Sequence, residues 1–270
     1  MIAFIPILKE TFPPILLARQ RAHPHPRLFG ALVRPSQHEK RSSQVFLTAC
    51  TRPLRFIFRT RLIPLFTLYT SIINSYLLIL LSTLGTTFES VYGFSPGVAG
   101  LAYLGMMVGF LISELTLGLF SDTYATRKAR RRPDGIVKPE DRLPPLILGA
   151  LLLPASLLLY GWTLEHRIMW LAPIVGSGLV AFASMYSYIP VQIYVVDIYT
   201  LHTASATGAM SIVRSAIAAT VPLGADPLYR RLGYGWGYTL LAGLALPFIG
   251  IALVLVRYGE RIRRLDSTVE

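Results

Sequence analysis

The chain has 270 residues, of which 53% are hydrophobic and only 15% are charged. Soluble domains usually carry about 25% charged residues, so this composition excludes an ordinary soluble domain and requires a lipid environment. The formal net charge of +12 is compatible on its own with a nucleic-acid partner, but the placement of the charges leaves such a partner unsupported. Cys50 is the single cysteine, so we expect neither a disulfide framework nor a thiolate metal site.

The segment before residue 62 contains no stretch that is long enough to cross a membrane. Residues 1–18 open with a short apolar run, which we interpret as the remnant of the end of a preceding transmembrane helix. Residues 19–61 are rich in Arg, Pro, His and Ser and predict a cytoplasmic linker. Its two neighbouring histidines, His23 and His25, have no further ligand set nearby, so no metal site is expected.

Six later stretches are apolar over the roughly 20 residues that a helix needs to cross the hydrocarbon core. They predict an all-α membrane protein with a six-helix transmembrane domain over residues 62–256. Residues 257–270 are then expected to form a cytoplasmic tail. The predicted spans are 62–84, 98–120, 145–164, 168–196, 203–225 and 234–256.

The basic residues predict the orientation of these spans. Of the 26 Lys and Arg residues, 22 lie before the first span, in the 121–144 loop or after the last span. Because cytoplasmic loops carry such an excess, both termini and this loop are predicted to be cytoplasmic. Arg230 and Arg231 fall on the opposite side and run mildly against the rule. The basic excess therefore indicates topology, with binding of anionic lipid by residues 19–61 as a minor alternative.

Two charged residues lie inside the spans. Arg214 is at the midpoint of the fifth span, where a lone arginine costs about 2.5–3.5 kcal/mol and needs a partner or water. Glu114 lies past the midpoint of the second span, about 7.5 Å toward the cytoplasm at 1.5 Å per residue. The arginine side chain could reach it if the two helices are neighbours. We interpret the pair either as part of a substrate or proton pathway, or as a structural salt bridge or cavity-facing charges.

Uncharged polar residues recur at helical spacing on two other spans. Such stripes contact either an amphipathic ligand or a neighbouring helix, and most polar contacts in membranes are of the second, structural kind. The members are Thr67, Thr70, Ser71 and Asn74 on the first span and Ser184, Tyr188 and Gln192 on the fourth.

Small residues recur every four positions on the second span. Gly105, Gly109 and Ser113 form this ridge. Since small side chains let two backbones approach closely, the ridge predicts tight packing against another helix.

Several short motifs occur in a fixed order along the chain. Glu10 to Leu17 is E-T-F-P-P-I-L-L, and Pro139 to Pro144 is P-E-D-R-L-P. A degenerate G-x-x-x-D motif with two later basic residues is formed by Gly118, Asp122, Arg127 and Lys128. In these motifs the chain resembles the carboxyl-terminal half of a fungal major facilitator superfamily transporter of the drug:proton antiporter type.

The resemblance implies that the six spans are helices seven to twelve, which form one half of the superfamily fold. It implies export of a small organic molecule, such as a drug, toxin or secondary metabolite, by proton-coupled alternating access, with the chain as a truncated half of a transporter. A non-transporting membrane interaction protein and an inactive remnant stay open as alternatives. The expected partners are membrane lipid, the small-molecule substrate, protons, and a second transporter half or another copy, in the plasma membrane.

The sequence also indicates candidate residues for transport and for the conformational change. The candidates for the substrate or proton pathway are Asn74, Glu114, Tyr188, Gln192 and Arg214. Gly118, Asp122, Arg127 and Lys128 form the candidate conformational motif, in which the Asp122 carboxylate is suited to accept backbone N–H groups at the start of another helix. No catalytic constellation or phosphate-cradling loop is present, so we expect neither an enzyme nor a cofactor.

Overall fold

The computed structural model describes residues 62–132, 138–199 and 203–266, without the side chains of residues 62, 122, 226 and 261–266. The segments interpreted as a helix remnant (1–18) and a linker (19–61) lie outside these ranges. Within them, six helices are long and apolar enough to cross a membrane, which confirms the predicted all-α class. They are α1 (Leu62–Tyr92), α2 (Tyr103–Arg130), α3 (Pro144–Glu165), α4 (Leu171–Ile198), α5 (Thr203–Thr220) and α6 (Ala225–Asp266).

Each predicted span overlaps one of these helices, but the ends differ. Helix α1 continues eight residues beyond 84, because the hydropathy of a span ends where the membrane does, whereas the helical hydrogen-bond ladder continues. Helix α6 likewise runs through residues 257–266, which were predicted as tail. The α-helix of the fifth span stops at Thr220, where a 3-10 turn with Pro222 follows, since proline cannot supply an N–H to the ladder.

Helix α4 lies at the centre of the packing. It contacts α1, α2 and α3, while α3 also packs on α6 and α1 packs on α5. Short 3-10 or α-helical pieces fill the junctions before α2 and α3 and between α5 and α6. Residues 127–132 and 138–142 lie at the end of the bundle that we call the basic end. Because the helices alternate in direction, residues 86–92, Glu165 and the start of α6 lie at the opposite end.

The small residues of α2 meet the glycines of α4, as the ridge predicts. A Cβ atom added to Gly109 would lie 2.1 Å from the carbonyl oxygen of Gly178, and one added to Gly178 would lie 2.7 Å from that of Gly105. Ser113, the next member of the ridge, is fully buried. Only glycine therefore allows the two backbones to approach this closely.

Helix α6 is kinked near the opposite end of the bundle. Gly233 has a φ of 77°, a conformation that favours glycine, and the chain resumes as a helix directly after it. The Glu165 carboxylate, at the end of α3, accepts a hydrogen bond from the backbone N–H of Gly235 at 3.1 Å. A carboxylate at the start of a helix accepts a hydrogen bond from a free backbone N–H and interacts favourably with the positive end of the helix dipole. The kink thus ties α6 to α3.

We predict that Gly109→Ala destabilises the fold by about 1–3 kcal/mol, because overpacking a filled contact forces backbone shifts. Gly118→Ala is the matched control on the same helix, where an added Cβ meets nothing within 4 Å. It should leave the stability unchanged or slightly raised, since alanine is the better helix former. Thermal unfolding of the purified chain in detergent measures both. Equal unfolding midpoints for the two variants would contradict the close approach of α2 and α4.

Candidate functional site

The side chain of Arg214 on α5 is held by uncharged polar groups on α4 and on its own helix. Its Nη1 donates a hydrogen bond to the hydroxyl of Tyr188, and its Nη2 lies 3.4 Å from Oγ of Ser211. The guanidinium carbon is 5.1 Å from the centroid of the Tyr188 ring. Arg214 therefore keeps its charge inside the span with Tyr188 as its main partner.

Gln192 completes what we call the Tyr188 cluster, formed by Tyr188, Gln192 and Arg214. Nε2 of Gln192 donates to the Tyr188 hydroxyl at 2.5 Å. The phenolic oxygen thus accepts hydrogen bonds from two side chains, while its own O–H proton remains available to another acceptor. All three side chains are half-buried, so the cluster is partly exposed. Its chemistry suits a ligand that carries an acceptor or a negative charge.

Glu114 takes no part in this cluster. Its side chain is exposed on α2, and no ion pair joins it to Arg214 in the described structure. The reason is the helix order: α2 packs chiefly on α4, and α5 packs chiefly on α1. The bridging geometry that the sequence allowed for neighbouring helices is therefore not formed. An ionised side chain facing lipid at this depth would cost about 2.5–3.5 kcal/mol.

The polar stripe of α1 is largely internal. The Thr67 hydroxyl donates to the carbonyl of Ile63 at 2.6 Å, and the Thr70 hydroxyl donates to that of Phe66 at 2.8 Å. Asn74 is half-buried and forms no hydrogen bond with the Tyr188 cluster. The hydroxyls of Ser71 on α1 and Ser184 on α4 are buried without a hydrogen-bond partner in the described residues.

The residues of the predicted conformational motif lie in different environments. Lys128 forms an ion pair with Asp141, with 3.1 Å between Nζ and Oδ1, and Arg127 is exposed. Gly118 is exposed, with no atom close to where its Cβ would be. The side chain of Asp122 lies outside the described part, so its role stays a prediction.

Asp141 is the fully buried centre of the basic end. Arg132 donates two hydrogen bonds to its carboxylate, at 2.7 and 2.8 Å, and the backbone N–H of Lys138 donates a third at 3.1 Å. Burial alone would raise the pKa of the Asp141 carboxyl, but the hydrogen bonds from Arg132, Lys128 and the Lys138 backbone hold that pKa below its usual value. The carboxylate therefore stays ionised at physiological pH.

Weaker ion pairs extend this network to two other helices. Lys138 Nζ lies 3.4 Å from Oε1 of Glu260 on α6, and Arg142 Nε lies 3.9 Å from Oδ2 of Asp197 on α4. The short turn Pro139–Arg142 thus connects α2, α4 and α6 at the basic end. The sequence indicated this turn only as part of a motif. The feature that could have indicated a role for Asp141 is the position of an acidic residue between two basic stretches, directly before a helix.

Curated relatives match nearly the whole chain. It is 36% identical over 260 residues to the MFS-type transporter tndD of Aspergillus flavipes and 37% identical over 258 residues to the MFS transporter cpaT of Aspergillus oryzae, matches that cover 95% of the chain. The efflux pump radE of Floropilus chiversii is 33% identical over 267 residues, or 97% of the chain. The chain belongs to the major facilitator superfamily.

The chain spans about half the length of the curated relatives it matches, since the aligned part is 48% of tndD, 52% of cpaT and 49% of radE. Half-length coverage, six membrane-crossing helices and the ordered motifs agree with the carboxyl-terminal half of the superfamily fold in an integral multi-pass membrane protein. No family model and no solved structure matches the chain.

We predict that Asp141→Asn lowers the stability of this superfamily half by about 1–3 kcal/mol, because charge-assisted hydrogen bonds to a buried group are lost. Glu260→Gln removes a carboxylate that is 39% exposed and should cost about 0–1 kcal/mol. A lowered pKa gives stability that is present above the ordinary aspartate range near 4 and is lost as the pH falls through the lowered value. Unfolding midpoints from pH 3 to 8 test this.

Below about pH 4, the difference between the unsubstituted chain and Asp141→Asn should shrink, and it should disappear once the pH falls below the lowered pKa of Asp141. An effect of Asp141→Asn no larger than that of Glu260→Gln at neutral pH would show that Asp141 is not the centre of the network.

Proposed function

We propose that this chain exports a small organic molecule across a membrane by proton-coupled alternating access, as one half of a transporter. The Tyr188 cluster carries the proposal: a cation inside a membrane-crossing helix, held by neutral groups and half-exposed, offers a binding site for a molecule with an acceptor or anionic group. The names of tndD, cpaT and radE support the same class of activity.

Alternating access in this fold needs two halves that rock about a site near the bilayer midplane. The six described helices supply one half, and the exposed face of α2 indicates where another surface belongs. Glu114 lies on that face among exposed apolar side chains such as Leu111 and Leu115. Because lipid cannot solvate an ionised carboxylate, we infer that a second half or another copy covers this face.

In this proposal, Glu114 is the residue that carries the coupled proton. It is the one acidic residue in the central part of a described span, since Glu89, Glu165 and Asp197 lie near helix ends. Asp141 is unsuited to carry the proton, because its hydrogen bonds keep it ionised. Neutralisation of Glu114 would let its face change surroundings during the transport cycle. The plasma membrane, with both termini cytoplasmic, is the proposed setting.

We expect Arg214→Gln to abolish export at normal protein abundance, because the cation that orients an acceptor-bearing substrate is removed. Arg214→Lys should retain part of it, since the charge remains. Arg231→Gln makes the same change of charge at an exposed position. It is the matched control and should leave both export and protein abundance unchanged. Efflux of fluorescent amphipathic anions from pump-deficient yeast measures these rates.

The assay is run with the chain alone and with the chain joined to the first half of cpaT. Export by the joined form only would identify the chain as a half, and export by the chain alone would indicate assembly of copies. Absence of export in both forms, with correct membrane insertion, would refute transport and favour an interaction protein or inactive remnant.

Glu114→Gln tests the coupling ion separately. In vesicles, it should abolish uphill transport driven by a proton gradient while leaving exchange of labelled for unlabelled substrate intact, since exchange needs no net proton movement. Glu89→Gln, at an exposed position on α1, should leave both activities unchanged. Retained uphill transport in Glu114→Gln would contradict proton coupling through this residue.

A further inference from the structure

A polar cavity of about 390 Å³ lies at the opposite end of the bundle, between the last turns of α1 and the start of α6. None of its residues belongs to the Tyr188 cluster or to the basic-end network. Hydroxyl groups dominate its lining, and a single arginine supplies its charge. The lining residues are Thr83, Thr86, Thr87 and Ser90 of α1 and Tyr229, Arg230 and Tyr234 of α6.

The α1 wall presents four hydroxyls on one helix face, and their protons are unequally available. Thr83 and Thr86 donate to the carbonyls of Ile79 and Thr83, at 2.7 and 3.0 Å, and Ser90 donates to that of Thr87 at 3.0 Å. The Thr87 hydroxyl forms no such bond within the described residues, although its residue is only 3% exposed. Thr87 is therefore the free hydroxyl donor of this wall.

The α6 wall contains a second donor without a partner. The hydroxyl of Tyr229 is buried and makes no hydrogen bond in the described structure, and the residue is 8% exposed. Its ring is held in place by stacking on Tyr238 at a centroid distance of 5.1 Å. The hydroxyl of Tyr238 is close enough to interact with it, but the two hydroxyls form no hydrogen bond of normal length and angle. A buried donor left unpaired is costly, so a ligand oxygen in the cavity would satisfy it.

Arg230 gives the cavity its positive charge. The guanidinium fork matches the oxygens of a phosphate with two parallel hydrogen bonds. Arg230 is exposed, as is its neighbour Arg231, but of the two only Arg230 lines the cavity.

The depth of the cavity points to the membrane boundary. Tyr234 joins the two walls, with 3.3 Å between its hydroxyl and that of Ser90. Trp236, two residues after Tyr234, is 61% exposed and packs edge-on against Trp162 at 5.9 Å. Amphipathic aromatic rings are enriched at the level of the lipid headgroups, and basic pockets between membrane helices bind such headgroups.

We propose that this cavity binds a phosphate group, with Arg230 on its charge and the hydroxyls of Thr87 and Tyr229 on its oxygens. The phosphate belongs either to the headgroup of an anionic phospholipid or to a soluble phosphate compound. The site is separate from the proposed transport pathway, so its test does not depend on a substrate.

Binding to the purified full chain in detergent tests the proposal with three probes, namely dioctanoyl phosphatidic acid, dioctanoylglycerol and inorganic phosphate. Arg230→Gln should weaken phosphatidic acid binding about 10-fold or more, as expected for a charged hydrogen bond. Thr87→Val, which keeps the shape of the side chain, should weaken it severalfold. Arg231→Gln is the matched control with the same loss of charge and should bind like the unsubstituted chain. Unfolding midpoints establish that each variant is folded.

The probes also identify the source of the phosphate. Tight binding of phosphatidic acid with weak binding of inorganic phosphate supports a lipid headgroup, and equally tight, Arg230-dependent binding of inorganic phosphate supports a soluble compound. Equal binding of dioctanoylglycerol would overturn the proposal, because that lipid has no phosphate. Equal losses in Arg230→Gln and Arg231→Gln would overturn it too, since general surface charge would then be sufficient.

Discussion

The hydrogen bond between Arg214 and Tyr188 stabilises the group that is most costly to place in the membrane, a guanidinium inside a membrane-crossing helix. Hydrocarbon cannot solvate a guanidinium, and arginine stays protonated in proteins, so the charge has to be met by polar groups at the same depth. Tyr188 and Gln192 on α4 meet it with uncharged groups. A neutral partner leaves the net charge uncompensated, and this is what makes the cluster suitable for an acceptor-bearing or anionic molecule.

The surrounding helices hold α4 in position for this contact. Glycines at its crossing with α2 allow a close approach that a single added methyl group would prevent. At the basic end, Asp141 gathers α2 and the turn before α3 around one buried carboxylate. At the opposite end, Glu165 and Gly233 tie α3 to the kink of α6. These tight contacts lie at the crossing of α2 and α4 and at the two ends of the bundle, while the described residues leave the face of α2 that carries Glu114 uncovered.

The sequence was sufficient for the features that depend on local composition. Long, predominantly apolar stretches predicted six helices, and small residues at positions 105, 109 and 113 predicted a close crossing. It was insufficient where the answer depends on which helices are neighbours. Arg214 and Glu114 are opposite charges at reachable depths, yet α4 lies beside Arg214 and provides Tyr188 instead. Asp141 was missed for the same reason. Its structural role depends on contacts with Arg132 and Lys128, which the turn before α3 brings close to its carboxylate.

The central claim is that Arg214 and Tyr188 act as one energetic unit. A double-mutant cycle on thermal unfolding, with Arg214→Gln, Tyr188→Phe and the combined variant in the same detergent, measures this without knowledge of the substrate. The account predicts that the two changes are not additive and that their coupling energy is about 1 kcal/mol or more, as found for residues in direct contact. Additive effects within about 0.5 kcal/mol would contradict it, because Tyr188 would then not stabilise the buried charge.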